Sequence, residues 1–342
     1  MSEKEFLLLC SIHLINVIST EEKLRLLSNL SSVDDFLHLS HSDVEGIINR
    51  KIPRAKICVD LLMARAEREL KIMKVKNFDW TYINADNYPV LLRNSFDPPF
   101  MLFYIGCLEL NTDFILSIVG TRKPTLTASR VAYSFARDVV VEGGIVVSGL
   151  ANGIDTSAHK GAVEGGGKTF AVLGSGIDNI YPVTNRRLSQ KIVENGGAIL
   201  SEYVPSAVAK KYCFPQRNRI IACLSRGTLV VEAPKKSGAL ITAEYALDEG
   251  RDVFIPANVP EGGNSEGTYD LLENGAMSVV SVYEIMKEWN VLSHSHEKNK
   301  NNYNHPKDKN NGFSNPGSVL ASMMEKELDG KIVRHKGDII EG

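Results

Sequence analysis

Six short turns carry the residue types that hold anions. They read Gly120-Thr121-Arg122, Ser148-Gly149-Leu150-Ala151-Asn152-Gly153, Gly174-Ser175-Gly176, Ser201-Glu202, Glu232-Ala233-Pro234 and Pro256-Ala257-Asn258. Each follows an apolar run, and four of them lead with Gly or Ser. Small residues at a helix start leave backbone N–H groups open, and such groups bind phosphates. Cations gather at the same turns: Arg122 with Lys123, Arg186 with Arg187, Arg217 and Arg219 on either side of Asn218, and Lys235 with Lys236. A solvated surface explains any one of these pairs. Their shared placement argues for a groove that tracks a phosphate backbone.

Other chemistries find less support. Asp155 and His159 are spaced i, i+4, and Glu202 and Glu232 end apolar runs, so an acid–base set is conceivable. No nucleophile or metal-ligand set accompanies them, and a capping Asp with a structural His is the plainer reading. The run Gly161-Ala162-Val163-Glu164-Gly165-Gly166-Gly167-Lys168-Thr169 looks like a phosphate loop, but Gly161 stands one residue too far from Gly167. It also leads from helix into strand, the reverse of what that loop requires. Gly174-Ser175-Gly176 lacks the third glycine of a dinucleotide fingerprint, because Asn179 stands there. The five cysteines are scattered without a CxxC pair, which argues against a disulfide framework or a zinc site and for reduced thiols in the cytoplasm. No cofactor is expected.

The turns need elements to hold them. Apolar runs at 114–119, 144–147, 169–173, 198–200, 228–231, 252–255 and 277–280 alternate with amphipathic stretches at 127–142, 156–164, 185–194, 216–224, 239–249 and 269–273. That alternation specifies an α/β domain, residues 114–290, whose doubly wound, mostly parallel sheet is covered on both faces. Ligands of such sheets sit beyond the carboxyl ends of the strands, where the six turns fall. Residues 1–75 read as a small helical domain, with Ser19 or Thr20 as the cap of one helix, Ser32 and Asp34 opening a second and Ser40 to Ser42 a third. Residues 76–113, rich in aromatics and prolines, read as an extended connector ending in a strand. Residues 291–315 are a polar linker, and 316–342 regain a helix and a short strand pattern. Across 342 residues, 39 Lys and Arg face 41 Asp and Glu, a net charge of −2 that excludes a bulk polycation. No apolar run reaches the roughly 18 residues of a membrane span.

Five ordered motifs carry a family resemblance. They are Ile118-Val119-Gly120-Thr121-Arg122; Ser148 through Asp155 with Ala158-His159; Ala171 through Asp178 with Tyr181-Pro182; Phe214-Pro215-Gln216-Arg217-Asn218-Arg219-Ile220-Ile221; and Ser237-Gly238-Ala239-Leu240-Ile241-Thr242-Ala243. Over about residues 80–285 the chain resembles the DNA-processing DprA (Smf) family. The resemblance implies a Rossmann-like domain that binds single-stranded DNA, forms a homodimer and loads the RecA recombinase, chiefly in natural transformation, with no established catalytic activity. Carried over by motif, Arg122, Ser148, Gly149, Gly174, Ser175, Gly176, Arg217, Asn218 and Arg219 are the implied DNA-binding residues. Arg186 or Arg187 falls near a further basic position. Two departures are visible: Pro256-Ala257-Asn258 stands where the family has Pro-Gly, and the last 27 residues match only the final helix and wing of a winged helix.

The competing reading, from a different class, is an enzyme like the nucleoside monophosphate phosphoribohydrolases on a related fold, with Glu202 or Glu232 in the acid–base role. Arg122 separates the possibilities most sharply. It is expected to fork two hydrogen bonds onto one phosphate, with bare Gly120 letting that phosphate approach. Its rival role is an ion pair with Glu232 that braces the loops.

Overall fold

The computed structural model describes residues 2–53, 57–258, 264–291, 332–335 and 338–341. The chain divides into two units, residues 1–295 and 296–342.

The first unit opens with five helices, α1 (Glu3–His13), α2 (Thr20–Ser28), α3 (Val33–Leu37), α4 (His41–Ile48) and α5 (Val59–Lys76). The first four start by one device. Ser2, Ser19, Ser32 and Ser40 each accept the N–H three residues on, and the acid there, Glu5, Glu22, Asp35 or Asp43, reaches back to the serine N–H. Each such box satisfies two otherwise orphaned donors and contributes about 1 kcal/mol. These short helices gain most of their stability from a shared apolar interior of Phe6, Leu9, Ile12, Leu26, Phe36 and Val44, all buried.

Next come β1 (Asp79–Tyr82), α6 (Val90–Arg93), β2 (Met101–Gly106), β3 (Ile115–Val119), α7 (Leu126–Val141), β4 (Ile145–Ser148), α8 (Ile154–Glu164), β5 (Thr169–Val172), α9 (Arg186–Glu194) and β6 (Ala198–Ser201). They are followed by α10 (Cys213–Cys223), β7 (Gly227–Val230), α11 (Gly238–Asp248), β8 (Asp252–Pro256), α12 (Glu266–Glu273), β9 (Met277–Val279) and α13 (Val282–Glu288). Nine strands form one sheet in the order β1-β2-β6-β5-β4-β3-β7-β8-β9. The seven from β6 to β9 run parallel, the doubly wound mostly parallel arrangement expected. The chain winds outward from β3 to β6, then crosses back to place β7 on the other flank of β3. The switch in strand order therefore lies between β3 and β7.

The stretch 76–113 is more than a connector. β2 pairs antiparallel with β6, Phe103 opposite Ser201, and β1 pairs antiparallel with β2, so both strands extend the sheet. Met101, Leu102 and Phe103 are wholly buried there, which is why the aromatic-rich segment binds as strand. Within β3 the side chains split by period two. Leu116 and Ile118 join α7, α8 and α13 on one face, and Ile115 and Val119 join the core shared with the N-terminal helices on the other. Gly161, read above as part of a phosphate-loop decoy, lies where α8 crosses α7, and a Cβ there would strike the Tyr133 backbone.

In the second unit, β10 (Ile332–His335) and β11 (Asp338–Glu341) form a two-stranded antiparallel ribbon. The helix expected before it, and all of the polar linker except Val291, lie outside the described residues.

Two histidines sit inside the first unit as neutral rings. Thr169 spends its hydroxyl proton on the Val146 carbonyl at 2.8 Å, so His159 Nδ1–H donates to Thr169 Oγ1, also at 2.8 Å. His13 Nε2–H donates to the Glu202 carbonyl at 2.8 Å. Burial lowers the pKa of both rings to about 3. Below the unfolded value near 6.5 the unfolded chain takes up these protons and the folded chain does not, so stability falls as pH drops from about 6.5 toward 3. Unfolding by urea from pH 6 to pH 4.5 should show a slope shallower by about 1.4 kcal/mol per pH unit in His159→Asn than in wild type. Identical slopes would mean that the His159 ring takes up its proton in the folded protein.

Candidate nucleic-acid interface

At the carboxyl edge, one strand from the switch, a small cleft of about 40 Å³ opens between the ends of β3 and β4 and the start of α10. Arg122, Gly149, Asn152, Tyr181, Phe214 and Arg217 line it. Its floor is Arg217, 4% exposed. One of its η nitrogens donates to the Gly149 carbonyl at 2.6 Å and to the Val172 carbonyl, and its Nε donates to Asn218 Oδ1 at 3.1 Å. The guanidinium fills the space where a Cβ on Gly149 would stand, so a side chain at that position would displace it. Burial lowers the Arg217 pKa to about 10, against the pull of Asp155, and the group stays charged at neutral pH. Asp155 in turn accepts the N–H groups of Gly149 at 3.1 Å and Ala151 at 3.3 Å.

Above this floor the cleft is open and cationic. Arg122 is exposed and lies 5.4 Å over the Phe214 ring. It makes no ion pair among the described residues. Glu232 is not its partner: that carboxylate accepts the Thr125 N–H at 2.8 Å, at the cap of α7, and its carbonyl accepts the Thr121 N–H at 2.7 Å. Tyr181, half exposed, places its ring 5.6 Å from Phe214. A free guanidinium and two aromatic rings on one wall can hold a phosphate and stack unpaired bases. Arg186 and Arg187 are exposed in the first turn of α9. Cations there oppose the helix dipole, so their placement does nothing for the helix. Asn185, just before them, donates to the Leu150 carbonyl at 2.8 Å, and Thr184 donates to Asn152 at 3.2 Å. The α9 start is thereby tied to the loop that lines the cleft.

The remaining sequence-derived residues are placed differently. Ser148 is fully buried and donates to the Ile118 carbonyl at 2.7 Å, a clip between β4 and β3. Gly120 faces the Ile154 side chain and the Glu232 carbonyl, so its bareness serves packing and not phosphate approach. Gly174 gives room to the Phe214 ring. Ser175 donates to the Asn179 carbonyl at 2.7 Å, and Gly176 N–H donates to the Ala207 carbonyl at 2.8 Å, which turns this glycine-rich turn inward. Asn218 donates to the Gly238 carbonyl at 3.0 Å. Arg219 leaves the cleft altogether, joining Glu202 and the Asp97 backbone and carboxylate. Consecutive residues on a helix point about 100° apart, so Arg217, Asn218 and Arg219 cannot share one ligand. Sequence reasoning named Tyr181 and Phe214 only as motif letters. The signal for them was there, aromatics interleaved with bases.

The residues offered for the enzyme alternative are each engaged by a neighbour. Glu202 is spent on Arg219, Glu232 on the cap of α7, and His159 on Thr169.

A doubly wound α/β protein with a cationic, aromatic-walled cleft at its carboxyl edge is what fold and site together define. The DNA recombination-mediator protein A family matches residues 79–290, and the chain belongs to that family. DNA processing protein DprA of Streptococcus pneumoniae is 43% identical over 205 residues, covering 60% of this chain and 72% of that protein. The X-ray structure of the pneumococcal protein superposes with a TM-score of 0.67 at 33% identity, covering 84% of this chain and 98% of that one. A Helicobacter pylori DNA processing protein A, described for its single-stranded DNA binding mode, gives 0.56 at 29% identity over 64% of this chain and 98% of that one.

Arg217→Met keeps the side-chain stem but strands two buried carbonyls and Asp155. Leaving a buried carboxylate without its compensating charge costs about 3–5 kcal/mol, so urea unfolding should register a loss of that order. An unchanged midpoint would mean that Arg217 is a surface-like cation and not the floor of the cleft.

Proposed function

We propose that this chain binds single-stranded DNA across the cleft, shields it, and as a cytoplasmic homodimer presents it to the RecA recombinase during uptake of transforming DNA. One observation carries the DNA reading: Arg122 stands free over Phe214, beside Tyr181 and above the buried charge of Arg217. A free cation takes the phosphate while the rings accept bases of any sequence. The single-stranded DNA described for the Helicobacter pylori relative supports the choice of ligand. Membership in a family of recombination mediators supports the hand-off to RecA. Arg186 and Arg187 extend the cationic track along the α9 start. Among the described residues no helix is long and apolar enough to cross a membrane.

Filter binding against single-stranded oligonucleotides tests this reading. Arg122→Ala should weaken binding by about 1.5–3 kcal/mol, the range for charge-assisted hydrogen bonds, whatever the sequence. The slope of log affinity against log salt should shrink by about 0.7, one single-strand phosphate contact. Thermal stability should hold, because Arg122 makes no ion pair among the described residues. A destabilised variant with an unchanged salt slope would remove the cleft from the reading.

Phe214→Leu separates stacking from charge. It should cost about 1–3 kcal/mol of binding while leaving the salt slope at its wild-type value. A changed slope with full affinity at low salt would show that the ring only positions Arg122.

A further inference from the structure

A second cavity, of about 1190 Å³, is distinct from the strand cleft. It lies across α10 from it: Phe214 and Arg217 face the cleft, whereas Cys213, Gln216 and Arg219 face the cavity. The opposite wall comes from the N-terminal helices, with Lys23 of α2 and Arg65 of α5. Lys23 is only 9% exposed, yet its ammonium has no hydrogen bond or ion pair among the described residues. The carboxylates near it are engaged elsewhere, since Arg219 takes both Glu202 and Asp97. Arg65 and Lys210 also hold no ion pair among the described residues, and Tyr203, Tyr212 and Tyr245 add an aromatic side to the cavity. The Lys23 ammonium lies 6.0 Å over the Phe100 ring and lines the cavity, so an anion entering this ring-lined space meets a cation held by no acceptor among the described residues.

We infer that this cavity binds the phosphate of a nucleotide, with Lys23 as the inner donor, Arg65 and Lys210 at the walls, and the tyrosines against the base. Two sources offer that chemistry: a free mononucleotide, or the terminal nucleotide of a DNA strand that crosses α10 from the cleft. Only the second source rests on the strand binding proposed above. The groups facing Lys23 are His13 from α1, Asp97 from the segment before β2, Glu202 from the loop after β6 and Arg219 from α10. Burial lowers the Lys23 pKa to about 8. The donor is therefore charged at pH 7 and loses its charge above about pH 8, while a phosphate monoester stays dianionic over that range.

Calorimetric titration of the full chain with deoxyadenosine 5′-monophosphate, and with one oligonucleotide bearing either a 5′-phosphate or a 5′-hydroxyl, tests the assignment. If the ligand is a free nucleotide, wild type binds the monophosphate one to one. Lys23→Met then weakens it at least tenfold, Arg122→Ala leaves it unchanged, and wild-type affinity declines above pH 8 while the Lys23→Met profile stays flat. If the ligand is a strand end, the 5′-phosphate strengthens oligonucleotide binding at least tenfold in wild type and not in Lys23→Met. Should Lys23→Met fail to fold by circular dichroism, the double variant Arg65→Met, Lys210→Met carries the same readouts. Oligonucleotide binding that persists in wild type with neither monophosphate binding nor any effect of the terminal phosphate overturns the inference and leaves strand binding in place. Monophosphate binding with no oligonucleotide binding does the reverse.

Discussion

The buried guanidinium of Arg217 is the constraint on which the carboxyl edge depends. A charge removed from water must be matched on every side or the fold loses several kcal/mol. Here it is matched by the carbonyls that end β4 and β5, Gly149 and Val172, and by the charge of Asp155. Each match sets a further demand. A side chain at Gly149 would displace the guanidinium, and Asp155 holds the Gly149 and Ala151 amides, which serve its own charge. The loop so fixed gives Asn185 its anchor at Leu150. From one satisfied charge follow the floor of the cleft, the position of Phe214 one turn earlier on α10, and the start of α9.

Helix periodicity then divides the work of α10. Phe214 and Arg217, three residues apart, face the cleft, and Gln216 and Arg219, also three apart, face the N-terminal helices. A single helix thus joins two ionic systems that never touch. Arg217 belongs to the sheet edge. Arg219, with Glu202 and Asp97, links the sheet to the segment before β2, and His13 of α1 bonds the Glu202 carbonyl from the other side. The large cavity is the space these two attachments leave between them and α2.

Much of this was legible from residues alone, for definite reasons. The parallel strands announce themselves because strands buried on both faces are unbroken apolar runs, as in Ile115–Val119. The helix starts at Ser19, Ser32 and Ser40 follow from capping chemistry that is local in sequence. The pairing of β2 with β6 is not local: nothing within 76–113 says that Phe103 meets a strand nearly one hundred residues later. Direction was equally hidden. Sequence marks Arg217, Asn218 and Arg219 as polar neighbours, but only the backbone shows that one is floor, one is clip and one is tether. Ser148 and Ser175 looked like ligand donors because a hydroxyl after a strand has two uses, and burial alone decides between them.

Burial also separates the arginines that build the site from the one that serves it. An arginine that already holds two carbonyls and an amide oxygen gains little from a phosphate, since each new bond replaces an old one. Arg217 is in that position for all but its outward face. Arg122 is not: it lies over the face of Phe214 and makes no ion pair among the described residues, which leaves donors at the edge of the guanidinium for a ligand. The fold protects that freedom. Glu232, the one carboxylate that ends the neighbouring strand at the switch point, is turned away into the Thr125 N–H, where it anchors the α7 cap residue and faces the positive end of the helix. Had Glu232 reached Arg122, the cleft would hold a neutral pair and a strand would have to break it before binding. The anchoring of the α7 cap residue and the availability of Arg122 are therefore one feature: the same carboxylate that holds the Thr125 N–H leaves the cation unspent.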